Sequence, residues 1–314
     1  YFREEQELSL GLNEVDSQLE DHVLKDNNLV VIKNSPEFIT NKDKNTPTNK
    51  ILSSLYSLDR LKFLLQYGIA YVNLEKGIEK HIMRYPQFFA TKAISNTLDQ
   101  NIKKGIIWHT QGSGKTALAY FNIKYLTDYF QSKNIIPKFY FIVDRLDLLI
   151  QAKSEFSSRG LVVNTVNSRK EFIKDVKTAS AVKNERGKTE ITVVNIQKFS
   201  EDSQVVTDKD YDINIQRIYF LDEVHRSYNP KGSFLANLEN SDKEAIKIGL
   251  TGTPLLGNDY NSKTLFGDYI HKYYYNSSIA DGYTLRLIRE EISTEYKMIL
   301  AEALKSVEVM EGQI

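Results

Sequence analysis

A chain of 314 residues, 41% hydrophobic and 26% charged, can bury one large core or two smaller ones. Its 41 basic and 41 acidic residues cancel, so any nucleic-acid surface must be a local groove rather than a bulk property. The lack of cysteine excludes disulfides and thiolate metal sites, and no apolar run approaches the roughly 18 residues of a membrane span. These features predict a cytoplasmic protein with no membrane partner. Tyr1 rather than methionine opens the chain, and a fragment of a longer protein is expected.

In chain order, Leu8, Leu12, Val15, Leu19 and Val23 recur at helical spacing in a charged segment, which predicts a packing helix. Leu29 to Ile32 predicts a short strand, and Lys33 to Asn49, with Pro36 and Pro47, a loop. A metal-dependent nuclease strand would need an acidic residue two before Lys33. Val31 stands there, so no nuclease site is expected in this chain. Ile51, Leu55, Leu58, Leu61 and Leu65 predict a helix from Asn49 to Tyr67, closed by Gly68. Ile69 to Leu74 reads as a strand, and Pro86 suits the first turn of another helix.

The apolar run Gly105 to Trp108 then breaks into His109-Thr110-Gln111-Gly112-Ser113-Gly114-Lys115-Thr116, the pattern of a phosphate-binding loop. Gly112 and Gly114 permit backbone angles closed to other residues, so successive N–H groups converge on phosphate oxygens around Ser113. Lys115 then reaches the outer phosphates, the Thr116 hydroxyl is a magnesium ligand, and a helix opening near Lys115 adds its positive end. His109 occupies the place of the first glycine in the full pattern.

Beyond it, strands are predicted at Phe139–Val143, Leu161–Val166, Ile191–Ile196, Arg217–Leu221 and Ile246–Leu250. Helices are expected at Thr116–Phe130 and Leu146–Phe156, with a charged loop at Lys183–Glu190. Alternation of this kind builds a parallel sheet flanked by helices. Past Pro254, Gly257–Lys263 reads as a loop, His271–Tyr275 and Thr284–Ile292 as strands, and Thr294–Val309 as a helix.

The strand Tyr219-Phe220-Leu221 delivers Asp222 and Glu223 side by side at its C-terminal end, where parallel sheets bind ligands. Such a pair suits nucleotide hydrolysis: Asp222 holds magnesium through water, and Glu223 positions and deprotonates the attacking water. His225 follows as either a core histidine or part of the same motif. Thr251-Gly252-Thr253-Pro254 closes another strand with hydroxyl and glycine residues.

The three motifs Gly-Ser-Gly-Lys-Thr, Asp-Glu-Val-His and Thr-Gly-Thr-Pro, in this order, resemble those of superfamily 2 helicases and translocases. The wording around Trp108–Thr116, Val143–Leu148, Asp222–Ser227, Leu250–Leu255, Tyr56–Leu61 and Arg84–Ala90 is most similar to the motor subunit of type I restriction enzymes. That resemblance covers residues 50 to 290 and implies a RecA-like P-loop NTPase lobe at 81–256. It also implies a mostly helical N-terminal extension at 1–80 and a connector at 257–314 towards a second lobe. It implies ATP and magnesium as ligands, and as partners double-stranded DNA with the modification and specificity subunits of a restriction complex. By resemblance Lys115, Asp222 and Glu223 are catalytic, Gln87 reads adenine with support from Arg84, and His225, Thr251 and Thr253 couple nucleotide state to movement. Arg145, Gln197 and Lys198 face the DNA. A different superfamily 2 helicase and a nucleotide-switched interaction module are the rival readings.

Overall fold

Unbroken apolar runs are what a strand needs when helices cover both of its faces, and the runs after the phosphate loop form such strands. The computed structural model describes residues 17–36, 58–177, 188–196, 215–223, 242–254, 266–285 and 296–303, with Leu238 and Lys263. In chain order these give α1 (Ser17–Asp26), α2 (Leu58–Tyr67), β1 (Ile69–Leu74), β2 (Gly77–Ile82), α3 (Tyr85–Asp99) and β3 (Lys104–His109). There follow α4 (Lys115–Gln131), β4 (Ile136–Val143), α5 (Leu146–Ser158), β5 (Val162–Val166), α6 (Arg169–Lys177), β6 (Glu190–Asn195), β7 (Ile215–Asp222), β8 (Ile246–Thr251), β9 (Tyr269–Tyr273) and α7 (Tyr275–Ala280). Residues 296–303 are helical, within the helix expected there. Among the described residues no helix is long and apolar enough to cross a membrane.

The strands form a seven-stranded sheet in the order β5-β6-β4-β7-β8-β3-β9, with each neighbouring pair parallel. Side chains alternate between its faces. Phe139, Phe141, Ile218 and Phe220 pack against Phe88, Phe89, Leu118, Phe121 and Phe156 of α3, α4 and α5. Tyr140, Ile142, Tyr219 and Leu221 meet Phe172 and Val176 of α6, together with Phe266. This is the parallel sheet flanked by helices that the alternation predicted, the architecture that the resemblance implied for a RecA-like lobe.

On that second face the sheet also buries charge. Lys138 and Tyr140 meet the Asp175 carboxylate, Arg217 and Tyr219 that of Asp242, and Lys247 donates to the Asp242 carbonyl at 2.9 Å. Arg217 grips Asp242 through Nε and also through NH2 at 3.0 Å. Lys138 donates to the Asp175 carbonyl, and its Nζ lies 3.3 Å from the carboxylate. Interior charges persist only when paired in this way.

The N-terminal elements attach through aromatic rings. Phe63 of α2 packs 5.2 Å from both Phe88 and Tyr125, and Arg60 lies over the Phe89 ring at 5.0 Å. β1 and β2 pair as an antiparallel hairpin, fixed to α4 by Lys124 Nζ donating to the Ile69 carbonyl at 3.0 Å.

Three expectations change. Leu29 to Ile32 is not a strand: the Leu29 N–H bonds back to the Leu24 carbonyl, Asn28 turns the chain at φ 55°, and Val30–Asn34 coils as a 3₁₀ turn. Among the described residues no neighbouring strand supplies the ladder bonds that an extended apolar run needs, and Val31 is 90% exposed. The segment after Pro254 is not wholly a connector, because β9 pairs with β3 and extends the sheet to Tyr273. Thr284 and Leu285 are not extended in a sheet, whereas 286–292 lie outside the described residues. Unanticipated elements are β2, α6 and α7.

Candidate functional site

The break from β3 into α4 is shaped by its glycines. Gly112 and Gly114 sit at φ 78° and 82°, in the left-handed region that other residues enter at a cost of about 1 kcal/mol. At Gly114 the side-chain space is also taken. A Cβ there would lie 2.7 Å from Gln87 Nε2 and 2.8 Å from Arg84 NH2.

Those two neighbours belong to the start of α3 and hold the loop by its backbone. Arg84 NH2 donates to the Ser113 carbonyl at 2.6 Å, and Gln87 Nε2 to the Gly114 carbonyl at 3.1 Å. Gln87 Oε1 in turn accepts from the Arg84 N–H at 2.9 Å, which satisfies a backbone donor at the start of α3. Gln87 is 3% exposed, with its amide engaged at both ends. The Ser113 hydroxyl is buried with no hydrogen-bond partner.

β7 brings the acidic pair to the same place. Lys115 Nζ lies 3.7 Å from Glu223 Oε1, and both residues line one cleft with Arg84, Gln87, Thr116 and Asp222. The cleft has a volume of about 650 Å³. Glu223 takes φ 52°, an uncommon angle for glutamate, immediately past the end of its strand. Strain of this kind gathers at functional sites. Burial raises Asp222 to about 6, against the pull of Lys115 and with help from the negative charges of Glu223 and Asp144. Asp144, at the end of β4, is buried and was not anticipated as part of this acidic group.

Magnesium takes hard oxygen donors, commonly one or two carboxylates completed by phosphate. The Thr116 hydroxyl and the buried Asp222 carboxylate match that donor set. A carboxylate that burial pushes towards protonation beside two further acids suits an incoming cation.

The Thr251–Thr253 turn touches the phosphate loop directly. Trp108 and Thr251 are register partners, Trp108 Nε1 donates to the Gly252 carbonyl at 3.1 Å, and the Thr253 N–H donates to Thr251 Oγ1 at 3.1 Å. A Cβ on Gly252 would stand 3.1 Å from the Gln111 nitrogen and 3.3 Å from the His109 carbonyl. His109 fills the place of the missing glycine as a packed core residue. Its Nε2 meets His271 Nδ1 at 2.7 Å, and burial, then the charges of His271, Lys115 and Arg84, hold it well below the ordinary imidazole range.

The remaining expected residues lie apart or outside. Arg145 caps α5 at the C-terminal end of β4, exposed and 3.6 Å from Asp147 Oδ2. His225, Gln197 and Lys198 lie outside the described residues. The sequence reading missed two groups. One is the Tyr85, Tyr273 and Asp281 cluster, in which both phenols donate to Asp281 Oδ2 at 2.6 and 2.7 Å. The other is the α5 face Leu148, Gln151, Glu155 and Arg159, which lines the cleft; its helical spacing was the available signal.

The SWI2/SNF2 ATPase family model matches residues 86–311. Over 259 residues the chain is 31% identical to a putative type I restriction enzyme MjaVIIIP endonuclease subunit of Methanocaldococcus jannaschii, covering 73% of this chain and 24% of that protein. Over 220 residues it is 29% identical to the type I restriction enzyme SsaAORF53P endonuclease subunit of Staphylococcus saprophyticus, covering 68% and 22%. A solved fragment of a putative HsdR subunit of a type I restriction enzyme from Vibrio vulnificus is 19% identical, with a TM-score of 0.41, over 76% of this chain and 38% of that one. The chain spans about a quarter of the length of these curated relatives. The matched residues take in the phosphate loop, the acidic pair and the Thr251–Thr253 turn, and the chain belongs to the SWI2/SNF2 ATPase family.

Proposed function

We propose that this chain is a motor lobe that binds and hydrolyses magnesium–ATP to move double-stranded DNA, within the motor subunit of a type I restriction endonuclease. The observation that carries the nucleotide part is the meeting of Lys115 and Glu223, 3.7 Å apart, in one cleft with Thr116 and Asp222. The names of the relatives support the restriction context, and on that reading modification and specificity subunits are its partners.

In this mechanism the N–H groups from Gly112 to Thr116 and the Lys115 ammonium hold the phosphates. Thr116 and Asp222 would hold magnesium, which when bound supplies positive charge to the phosphate oxygens. Glu223 orients a water against the outer phosphate and accepts its proton, with Lys115 close enough to balance the carboxylate before substrate arrives. Arg84 and Gln87 hold the loop by its carbonyls, and on the same reading Gln87 meets the adenine edge with support from Arg84. Thr251 and Thr253, one strand away, feel any shift of the loop, and with His225 they pass it on. Arg145, Gln197 and Lys198 are the DNA-facing residues of this proposal. The motor lobe begins near residue 81, after an N-terminal extension, and its sheet runs on to Tyr273 before the connector.

Titration calorimetry with magnesium–ATP tests the site. Lys115→Ala is expected to weaken binding at least about tenfold, the scale of losing a charged contact. Unchanged affinity would remove the assignment.

A further inference from the structure

The side chains that grip the phosphate loop are themselves held by a turn that lies outside all three motifs. Arg84 NH2 donates to the Ser113 carbonyl, and because a peptide unit is planar, that bond also sets the direction of the Gly114 N–H. Whatever steers Arg84 therefore steers a donor of the loop. The turn is Asp281-Gly282-Tyr283, directly after α7. Gly282 takes φ 76°, and the Gly282 and Tyr283 N–H groups return to the Ile279 and Ser278 carbonyls, each at 2.9 Å, which closes the helix.

Two side chains of this turn reach the start of α3 separately. The Arg84 guanidinium carbon lies over the Tyr283 ring, 4.3 Å from its centre, and stacking of that kind fixes the plane of the cation. The Tyr283 ring stays 45% exposed, so it adds little to the core. Asp281 Oδ2 accepts from Tyr85, the neighbour of Arg84, at 2.6 Å, and from Tyr273 at 2.7 Å. Burial and then the bond to Asp281 push Tyr273 up to about 12, so it remains a donor at neutral pH. The Tyr273 carbonyl in turn accepts from the Thr110 N–H at 3.0 Å, on the β3 side of the same loop. One turn, far along the chain, thus braces the loop from two sides.

We propose that Asp281 and Tyr283 are positioning residues of the nucleotide site, setting the phosphate loop's grip through Arg84. The proposal rests on the nucleotide-binding reading of the cleft and adds a turn outside its motifs that tunes phosphate affinity. The experiment measures magnesium–tripolyphosphate, which lacks a base, and magnesium–ATP by calorimetry on the full chain, per folded molecule. Tyr283→Leu and Asp281→Ala are expected to weaken tripolyphosphate about threefold or more, the scale of one exposed cation–ring contact, and ATP at least as much. Tyr283→Phe keeps the ring and Asp281→Asn keeps an acceptor oxygen, so both should bind like the parent. In an Arg84→Ala background Tyr283→Leu should change nothing further, because its effect passes through Arg84. Unchanged tripolyphosphate affinity in Tyr283→Leu, or the same loss with and without Arg84, overturns the proposal. That variant alters an exposed ring and carries the test even if Asp281→Ala fails to fold. If Lys115→Ala changes neither ligand, the phosphate site itself is misplaced, a separate failure.

Discussion

The ionised Asp222 carboxylate weakens the fold at neutral pH. Its carboxyl is raised to about 6 by burial, so the folded chain holds that proton more tightly than the unfolded chain does. The resulting stabilisation is full below the ordinary value near 3.8 and is lost as pH rises through about 6. At pH 7.5 without nucleotide the ionised group therefore costs roughly 3 kcal/mol, and Asp222→Asn should melt higher than the parent. The gap should close towards pH 4, and with magnesium–ATP the parent alone should gain; thermal melts at the two pH values, with and without ligand, check both. Gly114→Ala makes the contrasting case. It forces a methyl at φ 82° into the space of Gln87 and Arg84, so nucleotide affinity should fall by more than tenfold while the unfolding free energy drops only modestly, by about 1–2 kcal/mol. An equal affinity for ATP in this variant would show that the loop's backbone path is not what holds the phosphates.

Among the elements, β4, β7 and β8 each bury one charged side chain, Lys138, Arg217 and Lys247, on an otherwise mostly apolar face, and those charges are a structural device. Asp242 accepts from Arg217 and Tyr219 and its carbonyl accepts from Lys247, all buried. Asp242→Ala should cost on the order of 3–5 kcal/mol by stranding the Arg217 charge, while leaving nucleotide affinity per folded molecule intact. Urea titration beside calorimetry separates the two effects. This network also shows what the sequence could and could not disclose. Runs such as Phe139–Val143 and Ile246–Leu250 announced strands because both faces are apolar over most of their length, and glycine spacing with Lys115 announced the loop. Nothing in the sequence marked Lys138, Arg217 and Lys247 as buried, because Asp175 and Asp242, which hold them, lie outside those strands. Leu29–Ile32 misled for the opposite reason: β-branched residues favour extension, but only a neighbouring strand completes it.

At the scale of the whole molecule, the cleft gathers Lys115, Thr116, Asp222 and Glu223. On the proposed reading, the cations that stabilise charge leaving the outer phosphate come from a facing lobe. Loss of a trans-acting arginine of that kind costs roughly 10³–10⁵ in rate. The 314-residue chain should then bind ATP yet release phosphate slowly, with little response to linear duplex DNA, whereas a longer chain carrying the facing lobe should respond strongly. Glu223→Gln in that longer chain should bind ATP and remain inactive. Brisk DNA-stimulated turnover by the present residues alone would sink the two-lobe reading.

The place of β3 in the sheet bears on how the protein is made. Both of its neighbours, β8 and β9, follow it by well over a hundred residues, so the strand carrying the phosphate loop emerges from a ribosome long before either flank exists. At roughly 5–20 residues per second, that strand waits many seconds with its backbone donors and the apolar side chains Ile106 and Ile107 uncovered. Pairings so distant in sequence are slow to close because loop entropy must be met before contacts form. The nucleotide cleft is therefore among the last parts of the lobe to be born, and nascent chains halted before Tyr269 are the ones most dependent on chaperones.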